Sequence, residues 1–576
     1  AVHIVDRRRL AVPHYHLPED RREHELQRLE HAISASEKQF EQLQTRSAES
    51  GLDQVGVLLQ AHSMILRDAE LHDATRRRIM ADGKNAEWAL KETIKNLKAL
   101  FDRLDQDYFR ERRSDIDFVG DRILRNLIGA EPDILGHLSE DAVVVAYDLS
   151  PADTVNLARY RARAFVTEGG GPTSHTAILA RAMNVPCVLN VAGIMNVAGT
   201  GDKVIVDGQA GQVVLRPNDE ARGQFRQLLK RREVEQQALL RDRDLPSETQ
   251  DGVHVALLGN IEVSQEIDAV VANGAEGIGL YRTEFLYLER PDLQGAIGHF
   301  DVYSLVVRGM QGRPVTVRTI DVGGDKFIRK SDGSGAALAA SIPVAVEDHS
   351  NPALGMRAIR LSLKHTGPFR EQLEGILRAS AVGKVQCLLP MVTTVDELRE
   401  AREIIRQLQS ELRAKKIAFD AQLPVGVMIE TPASALIADL LAKECDFLAL
   451  GTNDLIQYAL ATDRSNRDVA YLYRPCHPAV LRILSKVIEA GQAQGIEVSI
   501  CGEMAADPFH IPILLGLGLR KLSMTASAIP IVKRMLRRLE LSACEAFVRE
   551  ALSMSTAAEI EEALTARLRA WAPDLF

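Results

Sequence analysis

From residue 253 to the end of the chain, short apolar runs alternate with helical stretches, and this alternation constrains the fold more than any other feature of the sequence. The eight runs are residues 255–258, 277–280, 315–317, 385–389, 425–429, 447–450, 498–500 and 521–524. Eight strand–helix units over about 320 residues are what a (β/α)8 TIM barrel requires. We therefore predict a barrel domain over residues 247–576.

The chain of 576 residues is too long for one hydrophobic core, and its first half divides into three further parts. Residues 19–132 have apolar positions every three or four residues, and breaks at 50–51 and 82–83 favour a compact helix bundle over a coiled-coil spacer. Short β-rich runs predict a small α/β domain from residues 1–18 and 133–220, and a charged run predicts a linker helix over 221–246. We thus expect a multidomain α/β protein.

Composition and charge narrow the class of partner. The net charge of −9 and the pI near 6.0 argue against nucleic acid, and no run of about 18 apolar residues predicts a membrane span. Six cysteines without a CxxC pair predict neither disulfides nor a zinc site, which indicates a reducing, cytoplasmic setting. Because the chain starts at Ala1 without Met, in what looks like the middle of a strand, we expect a segment of a longer protein.

Polar residues stand where the predicted barrel strands end. In TIM barrels the chemistry takes place at the carboxyl ends of the strands. In this chain those positions hold Asn260, Arg282, Arg318, Met391, Glu430, Asn453, Asp454, Cys501 and Ser523, with Arg464 in the loop after the sixth strand. The sequence therefore predicts that arginines, two carboxylates and a cysteine converge on one rim.

A histidine follows a glycine-rich turn in the small α/β domain. In the run GGGPTSHTAILAR, residues 169–181, Thr173 or Ser174 is a good N-cap, which places His175 in the first helical turn. Backbone N–H groups there stabilise an anion, and a neutral imidazole is a competent nucleophile near pH 7. The alternative is an inert capping histidine.

The longer run GGGPTSHTAILARAMNVP resembles the phosphohistidine signature of the phosphoenolpyruvate-utilising enzymes, and specifically of Enzyme I of the phosphotransferase system. The resemblance extends over nearly the whole chain, and it implies that the helical bundle is inserted in the small α/β domain. It implies that His175 takes a phosphoryl group from phosphoenolpyruvate and passes it to HPr, or to its nitrogen-branch relative, docked on the helical domain. It also implies that Thr154 contacts the imidazole and that the chain forms a homodimer through the barrel.

The barrel residues fit the same chemistry. Guanidinium groups bind phosphate and carboxylate, both of which phosphoenolpyruvate offers, although an arginine taken singly could equally form a surface salt bridge. The resemblance implies Arg282, Arg318, Lys326, Arg357, Asn453 and Arg464 as substrate ligands. Glu430 and Asp454 are the predicted Mg²⁺ ligands, with a structural role at the rim as the alternative. Cys501, which could also be a packing residue, is implied as the acid that protonates C3 of the pyruvate enolate.

Two segments depart from the family pattern. The usual glycine-rich start is absent before Ala1, and residues 330–349 fit poorly, which predicts an altered loop beside the site. Phosphoenolpyruvate synthase and pyruvate phosphate dikinase are rival assignments, but both need an ATP-grasp domain for which the chain has no glycine-rich segment. A regulatory protein that senses phosphoenolpyruvate without turnover is the non-enzyme rival.

Overall fold

The computed structural model describes residues 1–5, 12–49, 59, 62–101, 107–130, 142–149, 153, 162–170, 176–177, 180, 185–286, 295–322, 352–464, 466, 469–573 and 575–576. These residues form two compact units, Ala1–Arg231 and Arg232–Phe576. The division falls within a helix, Asp219–Asp242, which overlaps the predicted linker. The finer domain boundaries drawn from the sequence stay predictions.

The first unit contains a parallel sheet. Its described strands are β1 (Val2–Val5), β2 (Val143–Ala146), β3 (Ala164–Thr167) and β4 (Cys187–Val188), in the order β1-β2-β3-β4. Val2 pairs with Val143 in register, so strands that are about 140 residues apart in sequence lie side by side. An antiparallel pair, β5 (Val204–Asp207) and β6 (Gln212–Leu215), and a short helix, Ile194–Val197, follow.

The helical part of the first unit lies in sequence between β1 and β2. Its helices are Arg22–Glu49, preceded by a 3₁₀ turn at Glu19–Arg21, then Ala69–Met80, Ala86–Phe101 and Asp107–Ile128. They share one apolar core that includes Leu26, Phe40, Leu90 and Ile123. Such a shared core is that of a bundle and not of an extended coiled coil. The predicted break at 82–83 lies between two of these helices, and Gly83 there has a φ of +63°.

In the described part of the second unit, eight parallel strands close into a barrel, as predicted. They are β7 (Ala256–Ile261), β8 (Ile278–Arg282), β9 (Val315–Arg318), β10 (Val385–Leu389), β11 (Val425–Ile429), β12 (Phe447–Leu450), β13 (Glu497–Ile500) and β14 (Lys521–Thr525). Two predicted strand ends are corrected, because the ladder between β14 and β7 continues to the pair Thr525 and Asn260. Asn260 and Ser523 therefore lie inside strands.

Helices surround the barrel. They are Ile267–Ala272, Gly295–Gly309, Ala358–Lys364, Thr366–Ala379, Val395–Ala414, Pro432–Leu436, Ala438–Leu441, Thr452–Ala459, Pro478–Gln494, Ile511–Gly516, Ile529–Leu536, Leu541–Ala551 and Ala557–Trp571. Shorter 3₁₀ turns occupy Ser264–Glu266, Thr283–Phe285, Pro352–Leu354, Ala470–Leu472, Glu503–Ala506 and Ala526–Ala528. None of the helices described is both long and apolar enough to cross a bilayer.

Two apolar layers hold the barrel together. The larger lies between the strands and the surrounding helices. The smaller fills the barrel interior with residues from five strands or strand ends, namely Leu280, Leu388, Met428, Phe447, Ala449 and Cys501. Burial of the leucine, methionine and phenylalanine side chains contributes about 1.5–3 kcal/mol each. The interior layer also places the Cys501 side chain among buried apolar groups at the carboxyl ends of the strands.

Candidate active site

The predicted rim residues that are described lie at the carboxyl ends of the barrel strands. Arg282 and Arg318 are the last residues of β8 and β9, Glu430 and Cys501 directly follow β11 and β13, and Asn453 and Asp454 begin the helix after β12. Arg357 precedes the helix Ala358–Lys364. Three other predicted residues lie outside the described residues, namely His175, Thr154 and Lys326. The unusual stretch 330–349 lies outside them as well.

Arg318 is buried between two carboxylates. Its Nη2 donates to Glu284 Oε1, and its Nη1 lies 3.3 Å from Asp321 Oδ2. Burial opposes the charge, but Glu284 and Asp321 outweigh it and raise the pKa of Arg318 above its ordinary value. The guanidinium is therefore held charged and in place at the rim.

Arg357 connects two loops of the rim. Its Nη2 donates to both carboxylate oxygens of Asp321, at 2.9 and 3.0 Å, and lies 3.4 Å from Asp454 Oδ2. Its Nη1 donates to Tyr458 Oη at 3.1 Å, and that hydroxyl donates to the backbone carbonyl of Ala353 at 2.6 Å. The segment after β9 and the helix after β12 are thereby joined by one guanidinium group.

The other predicted substrate arginines are more accessible. Arg282 donates to Glu262 at 2.7 Å, and about a third of its side chain is exposed. Arg464 is exposed and lies beside Tyr473. Burial raises the pKa of Tyr473 to about 12, although Arg464 acts against this rise. Both guanidinium groups are placed where a ligand from solvent could reach them.

Asn453 joins the segments that follow two neighbouring strands. Its Nδ2 donates to Glu503 Oε1 at 3.1 Å, and its Oδ1 accepts from the backbone N–H of Glu503 at 2.9 Å. The two hydrogen bonds fix the orientation of the amide. They hold the helix after β12 against the turn after β13, next to Cys501.

Glu430 is a buried carboxylate in an acidic setting. Its Oε1 accepts from the backbone N–H of Met391 at 2.5 Å, and Met391 has a φ of +56°. Burial raises the pKa of Glu430 well above its ordinary value, Asp321 and Asp454 raise it further, and the nearby guanidinium groups oppose them. A left-handed backbone at a non-glycine residue costs about 1–3 kcal/mol, so Met391 is a strained donor aimed at this carboxylate.

The charges at the rim fit a divalent cation. Among the described side chains, the buried carboxylates of Glu284, Asp321 and Glu430, joined by the partly buried Asp454, outnumber the buried guanidinium groups of Arg318 and Arg357. The Glu430 side chain packs closely against Gly451, because a Cβ at residue 451 would lie 3.0 Å from Glu430 Oε2. The described residues do not include a cluster of three or more metal-ligating side chains. Carboxylate oxygens are what Mg²⁺ takes, since it is held by one or two carboxylates with substrate oxygens and water.

Cys501 is a buried, protonated thiol beside the charged groups. Its Sγ donates to the backbone carbonyl of Leu450 at 3.6 Å. Burial raises the pKa of the Cys501 thiol to about 12, with Arg318 opposing the rise and Glu430 adding to it. Near neutral pH this sulfur is therefore protonated and is not a thiolate nucleophile.

Several buried polar atoms around the rim have no hydrogen-bond partner within the described residues. They are Arg318 Nε, Glu284 Oε2, Thr319 Oγ1 and Thr452 Oγ1. Gly502 leaves space for the last of these, because a Cβ at this position would lie 1.8 Å from Thr452 Oγ1. Buried polar groups are normally satisfied, so these atoms indicate a site that a polar ligand completes.

The prediction of site residues missed the acidic partners. Glu284 and Asp321 hold Arg318, Asp321 also holds Arg357, and Glu262 pairs with Arg282. A signal was present for two of them, because Glu284 and Asp321 stand two and three residues after the strand-end arginines. Met391 was predicted at the rim, but nothing in the sequence indicated that its backbone N–H binds Glu430.

Comparisons with known proteins show the family of the chain. Three family descriptions match the chain: "PEP-utilising enzyme, N-terminal" over residues 1–112, "PEP-utilising enzyme, mobile domain" over 138–211 and "PEP-utilising enzyme, PEP-binding domain" over 236–541. A solved NMR structure of Enzyme I covers 39% of this chain and 91% of its own, at 28% identity, with a TM-score of 0.34 that is too low to support a statement on the fold.

The most informative relatives are phosphoenolpyruvate-protein phosphotransferases. The protein from Geobacillus stearothermophilus is 40% identical over 93% of this chain and 91% of its own length. Those from Bacillus subtilis (strain 168) and Listeria monocytogenes are 39% and 38% identical, over 93% and 94% of this chain and 92% of their own lengths. The chain belongs to the phosphoenolpyruvate-protein phosphotransferase family, Enzyme I, of the PEP-utilising enzymes.

Proposed function

We propose that this chain transfers the phosphoryl group of phosphoenolpyruvate to His175, releases pyruvate, and then phosphorylates a histidine of an HPr-like carrier protein. The observation that carries the proposal is the rim of the barrel, where arginines, carboxylates and a protonated thiol converge. The family relatives named phosphoenolpyruvate-protein phosphotransferase support the same reaction.

Substrate binding is assigned to the accessible guanidinium groups. Arg282 and Arg464 would form charge-assisted hydrogen bonds to the phosphate and carboxylate of phosphoenolpyruvate, with Asn453 and Lys326 as further ligands. Arg318 and Arg357 are already held by carboxylates, so their charges are in place before the substrate arrives. Such preorganised charge is worth more at a site shielded from water than in bulk solution.

Glu430 and Asp454 are the proposed Mg²⁺ ligands. The acidic surplus and the raised pKa of Glu430 support this choice, because a bound cation would favour the ionised carboxylate. When bound, the ion would neutralise negative charge on the phosphate and on the enolate oxygen.

The proposed chemical step exchanges a P–O bond for an N–P bond and moves one proton to carbon. A ring nitrogen of His175 attacks phosphorus, the N–P bond forms, and the bond from phosphorus to the enol oxygen breaks. The resulting enolate takes a proton at C3 from the Cys501 thiol and leaves as pyruvate, and the thiolate regains its proton from solvent. A buried thiol with a pKa near 12 is protonated before the step, which supports its role as donor.

The partners are proposed on the family relationship. We assign carrier docking to the helical region 19–132 and contact with His175 to Thr154, and we expect a homodimer through the barrel unit. Whether the carrier is HPr or its nitrogen-branch relative sets whether the output is sugar uptake or regulation.

The test is incubation of the full chain with labelled phosphoenolpyruvate and Mg²⁺, followed by mapping of the label and assay of pyruvate. We expect acid-labile, base-stable phosphate on His175 with equimolar pyruvate. The His175→Ala variant should take up no label, whereas His254→Ala, which changes an exposed histidine paired with Glu276, should match the wild type. Label on His175→Ala would overturn the acceptor assignment, and binding of phosphoenolpyruvate without label would favour a sensor.

A further inference from the structure

A fully buried polar network lies directly behind the strand-end arginines. Its centre is Gln372, on the helix Thr366–Ala379, with 0% exposure. The side-chain amide donates to Thr283 Oγ1 at 2.9 Å and to Tyr303 Oη at 3.1 Å, and it accepts from the backbone N–H of Ile320 at 3.0 Å. The three partners are themselves buried.

The hydrogen bonds of the Gln372 amide have a fixed direction. The backbone N–H of Ile320 can only donate, so the oxygen of the Gln372 amide must face it and the NH₂ group must face the two hydroxyls. Tyr303 Oη accepts from this NH₂ group and lies 3.2 Å from His299 Nδ1. Burial lowers the pKa of His299 to about 4, so the ring is neutral near pH 7 and its Nδ1 can accept a hydrogen bond from the tyrosine hydroxyl.

The network connects the exits of two neighbouring strands. Thr283 directly follows Arg282 at the end of β8, and its hydroxyl donates to the backbone carbonyl of Arg318 at the end of β9, at 2.9 Å. Ile320 stands two residues after Arg318. One amide therefore holds both backbone segments from which these arginines project.

We infer that Gln372 is a positioning residue that fixes the spacing of Arg282 and Arg318 for phosphoenolpyruvate, an inference that rests on the proposed function. Gln372 does not touch the proposed substrate and acts through Thr283 and Ile320. A displacement of about 1 Å in a binding group can lower a catalytic rate about 100-fold.

Packing between the helix and the barrel does not by itself require this amide. A buried polar group costs free energy unless every hydrogen bond is made, and an apolar side chain of the same shape can be nearly neutral for stability. The neighbours of Gln372 on the same helix, Phe369 and Leu373, make such apolar contacts. A glutamine at this position is explained by the geometry that it imposes on the strand ends.

The first experiment compares Gln372→Met with Ser380→Ala in the full chain. Ser380 is a buried polar residue directly after the same helix, but it accepts from the backbone N–H of Asp420, at 2.8 Å, at the opposite end of the barrel. We expect Gln372→Met to lower kcat/KM for phosphoenolpyruvate about 10- to 100-fold and Ser380→Ala to change it by about twofold or less. The two variants should lose a similar amount of thermal stability. Equal rates for the two variants would overturn the inference.

The second experiment separates positioning from general damage. In an Arg282→Lys background, which lacks the guanidinium fork, Gln372→Met should cost about threefold or less, because residues acting as one unit are not additive. The same full loss in both backgrounds would show a structural role only. If Gln372→Met does not fold, Thr283→Val removes the link to Arg318 O and takes its place.

A further readout keeps the inference distinct from the proposed function. If the wild type binds phosphoenolpyruvate but takes up no label, the proposed function fails. Calorimetric binding then still decides the role of Gln372, since Gln372→Met should weaken the binding of phosphoenolpyruvate about 10-fold or more and Ser380→Ala should not. Equal binding by both variants would refute the positioning role.

Discussion

The buried ion pairs of Arg318 give the sharpest prediction. Replacement of Arg318 by Met removes the guanidinium and leaves the carboxylates of Glu284 and Asp321, both at most 7% exposed, without this cation. Loss of one partner of a buried ion pair costs about 3–5 kcal/mol. We therefore expect Arg318→Met to lower the free energy of unfolding of the barrel unit by about this amount, beside any loss of activity.

The double variant tests the physical cause. If the loss comes from a stranded charge, Glu284→Gln added to Arg318→Met should recover roughly 1–3 kcal/mol without restoring activity, because an amide costs less than a carboxylate to bury. Arg399→Met is the matched control, since Arg399 forms a two-pronged pair with Glu444 but is 60% exposed, and it should change stability little.

Unfolding can be measured in the barrel unit by tryptophan fluorescence. The chain has two tryptophans, and Trp88→Phe leaves Trp571, which packs edge-on against Phe547 with ring centroids 6.4 Å apart. Denaturant titration in that background would report the barrel unit. The reasoning is refuted if Arg318→Met is no less stable than Arg399→Met, or if the Arg318→Met/Glu284→Gln variant is less stable than Arg318→Met.

The other predictions concern Glu430, Cys501 and Lys416. Because burial raises the pKa of Glu430, the folded chain holds a proton that the unfolded chain has lost, so stability in EDTA should fall as pH rises above about 4.5 towards the raised pKa. In thermal melts across pH, Glu430→Gln should flatten this slope. An unchanged slope would contradict burial of Glu430 as the cause. Cys501→Ala should slow pyruvate release about 10²–10⁴-fold, measured by rapid-quench kinetics, while calorimetry should show that the affinity for phosphoenolpyruvate is retained. Undiminished release would exclude the thiol as proton donor. Lys416, exposed with a φ of +57°, follows the helix Val395–Ala414, so Lys416→Gly should raise stability by about 0.5–1 kcal/mol, with a lower Tm as the contrary result.

The sequence by itself determined the barrel and most of its rim. Apolar runs of strand length separated by helical stretches are local features, and each of the eight predicted runs overlaps an observed strand. The end of a parallel strand is marked by the change from apolar to polar residues. This change was enough to place four residues at the rim, namely Arg282, Arg318, Glu430 and Cys501. Roles for these residues remain proposals.

Tertiary structure decided which groups face one another. Arg357 and Asp454 are 97 residues apart in sequence, and Gln372 reaches Thr283 across 89, so closure of the barrel and not any local pattern brings these pairs together. Likewise β14 continues to Thr525 because β7 lies beside it, which moved Asn260 and Ser523 from strand ends into the ladder. Local pattern specifies the elements, whereas pairings and pKa shifts depend on distance and burial, which exist only once the chain is folded.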